Sequence, residues 1–164
     1  MKYQLIPNFL SESECAALVQ MCETDSDQIQ VWQDGVSDYT VKRKWIQNEL
    51  NTRMRFSLSE FPILAQLLQQ HNYKIQTNPE NTFYVAKYIP GQHLTAHTDP
   101  VGQHLSIIVR LNSDYTGGKL LVGGDQSVEW GIGDAVVFDP QITHGVTKVY
   151  SGIRYSLVFW LTDL

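Results

Sequence analysis

Apolar positions along this chain follow two different periods, and the change between them falls near residue 81. Ahead of it, Ser11-x-x-Glu14 resembles a capping box, in which serine and a glutamate three residues on satisfy the first free amides of a helix. The helix it opens carries Ala16, Leu18, Val19 and Cys22 on its apolar side. A second helix is predicted from Ser59 to about Gln70, with Phe61, Leu64, Leu67 and Leu68 inward. Pro62 falls in its first turn, where a missing amide is tolerated. Gln4-Leu5-Ile6 reads as a short strand. The stretch from Asp25 to Leu58 shows no clear period and mixes Trp32, Tyr39 and Trp45 with glycine, acidic and basic residues.

Beyond residue 81 the period shortens to that of strands. Strand-like runs occur at Thr82–Ile89, His93–His97, Leu105–Leu111, Lys119–Val122, Ala135–Phe138 and Tyr155–Leu161. Turn chemistry separates them, including Pro90-Gly91, Gly117-Gly118, Gly123-Gly124-Asp125 and Ser151-Gly152. Many short strands without helices between them favour a sandwich or barrel. The prediction is a mainly β chain with N-terminal helices (α+β), one domain over 1–164. Residues 1–80 supply helical support and a candidate substrate lid; residues 81–164 supply the β core.

At 164 residues one domain can bury a substantial core. A net charge of −5 argues against a broad nucleic-acid surface. Lys42-Arg43-Lys44 and the pair Arg53 and Arg55 concentrate the basic residues, and short runs of that kind usually form solvated faces. No apolar run approaches the roughly 20 residues needed to span a bilayer, so no membrane partner is expected. The first residues lack the apolar region of a secretory signal. Cys15 and Cys22 stand seven residues apart on the predicted helix, about 10 Å, too far for a disulfide. Buried free thiols in a reducing cytoplasm fit that spacing. Oligomeric state is not written in the sequence.

Chemistry concentrates at His97-Thr98-Asp99, answered downstream by His144 and Arg154. Side chains alternate along a strand, so His97 and Asp99 point the same way. One further imidazole would complete two histidines and a carboxylate, a set that binds a divalent metal on one side and leaves positions open. The alternative is a histidine hydrogen-bonded to a neighbouring carboxylate, with no metal. His71 and His104 read as surface or satisfied residues, and His93 as a residue near the pocket mouth that is not a ligand. Arg154 opens the apolar run Arg154–Trp160 and needs an anionic partner or an exit to water. Arg154 and Ser156 share a face, so a guanidinium and a hydroxyl can hold one carboxylate together; an internal ion pair is the competing reading. Leu105, Ile107 and Val109 alternate with Ser106, Ile108 and Arg110, and the pattern leaves open which set faces inward.

These residues together resemble the 2-oxoglutarate- and Fe(II)-dependent oxygenases, specifically the prolyl-4-hydroxylase-like branch. The motifs are Tyr88-x-Pro90-Gly91 leading to His97-x-Asp99, Leu111-Asn112 before Gly117-Gly118, Gly133-Asp134 and His144, and Gly152-x-Arg154-Tyr155-Ser156. Ile6-Pro7-Asn8-Phe9-Leu10-Ser11 is similar to the usual lead-in. The resemblance implies a double-stranded β-helix (jelly roll) with Fe(II) held by His97, Asp99 and His144. It implies that Arg154 holds the distal carboxylate of 2-oxoglutarate, helped by Ser156 and Tyr88, with O₂ as oxidant and ascorbate in support. Arg110 stands where some relatives place tyrosine near the cosubstrate; it is a candidate cosubstrate contact, with an outward-facing role as the alternative. Asp99, present where chlorinating relatives have a small residue, favours hydroxylation. The implied reaction hydroxylates an unactivated C–H bond and converts 2-oxoglutarate and O₂ to succinate and CO₂.

A non-catalytic cupin-like module holding a metal or small acid is the second reading, and a zinc hydrolase the third. The substrate is peptidyl or a small molecule: a peptidyl proline, a free amino acid and a natural-product scaffold all fit. Trp45, Tyr39 and Arg43, in the segment without a period, are the candidate substrate contacts, together with Trp32 and Lys42.

Overall fold

The computed structural model describes residues 2–24, 29–31, 45–47, 50–73, 82–99 and 104–161. Helix α1 (Glu12–Thr24) buries Cys15, Leu18 and Cys22, one residue per turn on one side. The predicted capping box is present: the Glu14 amide donates to Ser11 Oγ at 3.1 Å, and the Ser11 amide donates to Glu14 Oε1 at 2.8 Å. Ala16, expected on the apolar side, is exposed, because the buried stripe passes through Cys15 instead. Helix α2 (Pro62–Gln70) starts later than expected. A separate 3₁₀ turn occupies Leu58–Glu60, capped by Glu60 Oε2 accepting from the Ser57 amide at 2.9 Å. Proline disfavours the helical region at the residue before it, and Phe61 sits at φ −138°, ψ 73°, so one helix cannot run through. Leu64 and Leu68 are the fully buried residues of α2.

The strands form two facing layers. The large sheet has the order β1 (Gln4–Ile6), β10 (Ala135–Phe138), β7 (Leu105–Arg110), β13 (Arg154–Leu161), β5 (Thr82–Tyr88), β4 (Thr52–Ser57), β3 (Trp45–Gln47), β2 (Ile29–Val31). Four of these eight strands precede residue 81, so the N-terminal part builds half of the large sheet as well as the helices. The opposing layer contains β6 (Leu94–His97), β11 (His144–Val146) and β9 (Leu120–Val122), with β12 (Val149–Gly152) paired to β8 (Tyr115–Gly117) alongside.

Strand alternation gives the large sheet two different faces. One face packs under the helices through Met54, Phe56, Phe83, Val85, Ile107, Val109, Leu157 and Phe159, against Phe9, Leu18, Cys22 and Leu64. The other faces the small layer through Tyr84, Ala86, Tyr88 and Ile108, against Leu120, Val122, Val146 and Val149. The phase of β7 is thereby fixed. Ile107 and Val109 belong to the helix side, while Ser106 and Ile108 look into the sandwich. Burying a Leu- or Phe-sized side chain contributes roughly 1.5–3 kcal/mol, so a one-residue slip of β7 would forfeit several such terms at once. Among the described residues no helix is long and apolar enough to cross a membrane.

Cys15 and Cys22 are buried thiols that form no disulfide, as their spacing implied. Burial, with Glu14 and Glu12 nearby, pushes the Cys15 thiol from its ordinary value of 9.0 up to about 12. Burial likewise lifts the Tyr84 phenol from 10.0 to about 12. Groups whose folded pKa is raised hold their protons more tightly in the folded state. Their contribution is therefore intact below pH 9 and is lost as pH rises through 9 toward 12. Two results should follow. The urea midpoint should fall as pH rises from 9 toward 12, and neither cysteine should react with iodoacetamide at pH 8 without denaturant.

Candidate active site

The strand register brings the predicted metal ligands together. His144 of β11 stands directly opposite His97 of β6, and Asp99 follows two residues after His97. Their imidazole rings lie 4.4 Å apart between centroids. One donor atom from each of His97, Asp99 and His144 can be chosen so that all three lie within 4.8 Å of one another. His97 Nε2 is 3.5 Å and His144 Nε2 3.3 Å from Asp99 Oδ1. Donors placed at right angles about 2.1 Å from one ion would lie about 3 Å apart, so these separations suit a shared ion with little movement.

Backbone carbonyls decide which imidazole nitrogens face inward. His97 Nδ1 lies 2.9 Å from Thr95 O, and His144 Nδ1 lies 2.9 Å from Ile142 O. A carbonyl can only accept, so each Nδ1 carries a proton, and each Nε2 is left either to donate a proton to Asp99 or, without one, to offer its lone pair to a metal. Burial alone would raise the Asp99 pKa. Hydrogen bonds from His144, His97, Ser106 and Trp160 outweigh it and hold the carboxyl well below the usual range. The carboxylate is therefore ionised throughout the neutral range. His97 is shifted upward, chiefly by its hydrogen bond to Asp99. Two neutral imidazoles and one carboxylate form a hard, open-sided donor set suited to Fe(II).

Facing this set across the cavity is the predicted anion clamp. Arg154 opens β13 opposite Tyr88 of β5, with Ser156 two residues on. All three line the same cavity as His97, Asp99 and His144. The Arg154 guanidinium is 1 % exposed and stacks over the Tyr88 ring at 5.1 Å. Its Nε donates to Gly118 O at 2.9 Å and its Nη1 to Ser156 Oγ at 3.1 Å. Its Nη2 is buried without a hydrogen-bond partner. No carboxylate pairs with Arg154 among the described residues, so the internal ion pair weighed from the sequence is not found there. A buried cation with an unmet donor is costly unless an anion joins it. Gly118, at φ +58°, makes the approach possible, since a Cβ there would lie 2.9 Å from Arg154 Cδ.

Two candidate contacts lie away from the cavity lining. Arg110 shares the phase of Ser106 and Ile108 but is not among the residues that line the cavity. Its guanidinium turns along the strand end, donating to Asn112 O and Tyr115 Oη at 3.1 Å and to Trp130 O at 2.5 Å. Trp45 is 1 % exposed and packs in the helix-side core, with Lys87 Nζ 5.1 Å over its ring. It pairs with Met54, whose side chain also faces the helices, so Trp45 lies on the helix face of the sheet and not on the face that lines the cavity. Tyr39, Arg43, Trp32 and Lys42 lie outside the described residues.

Several residues that support the site carry no motif for that role in the sequence. Trp160 and Ser106 both donate to Asp99, and Asn51, 1 % exposed, donates its Nδ2 to Tyr88 Oη at 3.3 Å. A signal existed for Trp160. It continues the phase Arg154, Ser156, Val158, and an indole turned into the sandwich needs an acceptor. Leu94, Ile108, Leu120, Val146 and Val158 supply the apolar lining.

Comparison with known proteins places this geometry in a lineage. A family model described as aspartyl/asparaginyl β-hydroxylase matches residues 12–162. A PKHD-type hydroxylase of Psychrobacter sp. (strain PRwf-1) is 28 % identical over 184 aligned positions, covering 98 % of this chain and 69 % of the relative. The viral collagen prolyl hydroxylase of Paramecium Bursaria Chlorella virus-1, in complex with 2-oxoglutarate, superposes with a TM-score of 0.70 at 16 % identity, covering 100 % of this chain and 97 % of that one. The Trichoplax adhaerens prolyl hydroxylase bound to a hypoxia inducible factor peptide fragment gives 0.68 at 17 % identity, over 99 % and 84 %. The chain therefore belongs to the aspartyl/asparaginyl β-hydroxylase family, on the double-stranded β-helix fold of the 2-oxoglutarate- and Fe(II)-dependent oxygenases.

Proposed function

We propose that this protein is an Fe(II)- and 2-oxoglutarate-dependent dioxygenase that hydroxylates an unactivated C–H bond of a peptidyl or small-molecule substrate. The observation that carries the reading is the unpartnered, buried Arg154 Nη2 in the same cavity as the two-histidine, one-carboxylate set. His97 Nε2, His144 Nε2 and Asp99 Oδ1 would hold the iron. Arg154 and the Ser156 hydroxyl, beside the Tyr88 ring, would hold the distal carboxylate of the cosubstrate, whose 2-oxo acid end then points to the metal. Iron, when bound, supplies the redox chemistry by which substrate C–H, O₂ and 2-oxoglutarate become substrate C–OH, succinate and CO₂.

The protein's own share is positioning and exclusion of water. Tyr84, with its pKa at about 12, lines the cavity as a neutral phenol and offers no general base. Leu94, Ile108, Leu120, Val146 and Val158 line the cavity with apolar surface, which lowers the local dielectric and strengthens the clamp on a carboxylate. A peptidyl substrate is favoured by the peptide seated on the Trichoplax relative. Membership of a hydroxylase family speaks against a non-catalytic module.

Anaerobic addition of 2-oxoglutarate to the Fe(II)-loaded protein should produce a weak visible charge-transfer band, and admitting O₂ should discharge it with release of succinate. Absence of the band, with no metal retained by the purified protein, would overturn the proposal. Screening peptides and amino acids for stimulated succinate release then identifies the substrate class.

A further inference from the structure

Asp99 has one carboxylate oxygen turned to the imidazoles and the other already engaged. Oδ1 faces both Nε2 atoms, while Oδ2 accepts from Ser106 Oγ at 2.5 Å and from Trp160 Nε1 at 3.0 Å. The two donors are cross-strand partners, Ser106 of β7 opposite Trp160 of β13. Asp99 follows β6 in the other layer, so this pair reaches across the sandwich to grip it. The Asp99 main chain is held as well. Its amide donates to Pro140 O at 2.8 Å, and its carbonyl accepts from Gln141 Nε2 at 3.1 Å. Trp160 is kept upright by the Tyr84 ring, 5.7 Å away between centroids.

We propose that Ser106 and Trp160 are positioning residues that hold Asp99 as a one-oxygen metal ligand. The inference rests on the Fe(II)/2-oxoglutarate reading above. A carboxylate offers two oxygens, and one that gave both to the metal would fill an extra coordination position. Three protein donors and a chelating 2-oxo acid leave a six-coordinate ion one position for O₂. A second oxygen from Asp99 would occupy it. With two donors on Oδ2, rotating that oxygen toward the metal would break both hydrogen bonds and leave the buried Ser106 hydroxyl and the half-buried Trp160 indole N–H without their acceptor. The sequence separates these residues by 7 and 61 positions from Asp99, and only the register unites them.

The test uses Co(II) as the probe on the whole protein, with Ser106→Ala and Trp160→Phe. Each variant should bind Co(II) about ten- to a hundredfold more weakly than wild type, the range that lost supporting hydrogen bonds produce. The melting temperatures of the metal-free proteins report whether packing alone has changed. Infrared spectra of Co(II)-loaded protein with ¹³C-labelled aspartate supply a readout that a merely structural role would not move. The Asp99 band, assigned by its loss in Asp99→Ala, should show the wide stretch separation of a one-oxygen ligand in wild type and a narrower one in the variants. Wild-type Co(II) affinity in both variants, or a narrow two-oxygen separation in wild type, overturns the inference. The wild-type spectrum decides alone should a variant fail to fold. Failure of wild type to bind Co(II) at all instead overturns the functional reading beneath it.

Discussion

Arg154→Met should remove 2-oxoglutarate binding while leaving the cosubstrate-free protein at least as stable as wild type. The two effects have opposite signs because the guanidinium is 1 % exposed with Nη2 unpartnered. Replacing a buried charge by an apolar side chain of similar length is often neutral or stabilising. The same substitution deprives an incoming carboxylate of its charged partner, a loss of about 2–5 kcal/mol, or roughly thirtyfold to several thousandfold in affinity. Titration calorimetry with 2-oxoglutarate on Co(II)-loaded protein measures the first effect and urea denaturation of metal-free protein the second. Arg154→Lys keeps the charge but not the fork that bonds Gly118 O and Ser156 Oγ separately, so it should fall between. A fall in stability with unchanged cosubstrate affinity would make Arg154 a structural residue and remove the clamp.

The contrast between what alternation could and could not show is instructive at particular residues. His97-x-Asp99 and Arg154-x-Ser156 were legible because a strand places both members of each pair on one face, whatever the fold around them. Which face that is depends on the partner layer. For β7 the apolar residues occupy both phases, so only the helices packed on Ile107 and Val109 settle the matter. Arg110 shows the same limit. Its phase is right, but carbonyls at Asn112 and Trp130 draw its long side chain away from the cavity.

Strand β4 shows a signal present and overlooked. Arg53-Met54-Arg55-Phe56 alternates with period two, yet the basic residues suggested a solvated face. In the structure Met54 and Phe56 enter the helix-side core, while Arg53 and Arg55 lie 4.8 and 5.1 Å from the Tyr84 ring centroid on the other side. An arginine over an aromatic face tolerates burial that composition alone counts against it. Trp45 shows the converse. A tryptophan beside basic residues looked available for recognition, but its pairing with Met54 commits it to the core. Strand β11 was too short, and too broken by Gly145, to show any period; His144 was placed by its motif rather than its pattern.

Asp99→Ala should eliminate succinate formation, by well over the roughly 10–100-fold that the loss of a supporting hydrogen bond costs, since it removes a ligand and its charge together. The variant also leaves the Ser106 hydroxyl and the Trp160 indole without their common acceptor. Its metal-free stability should therefore fall too, by the roughly 1–3 kcal/mol of an unmet buried donor. A second readout separates this electrostatic role from simple packing. The upward shift of His97 comes first from its bond to Asp99, with burial working against it. Removing the carboxylate leaves the opposing influence, so the His97 pKa should move down from its wild-type value in an NMR titration of metal-free protein. The sign is fixed by the geometry, because Asp99 Oδ1 is 3.5 Å from His97 Nε2 and 3.3 Å from His144 Nε2. Continued turnover in Asp99→Ala, or an unmoved His97 titration, would show that these side chains do not act on one centre, and the iron site would have to be sought elsewhere in the cavity.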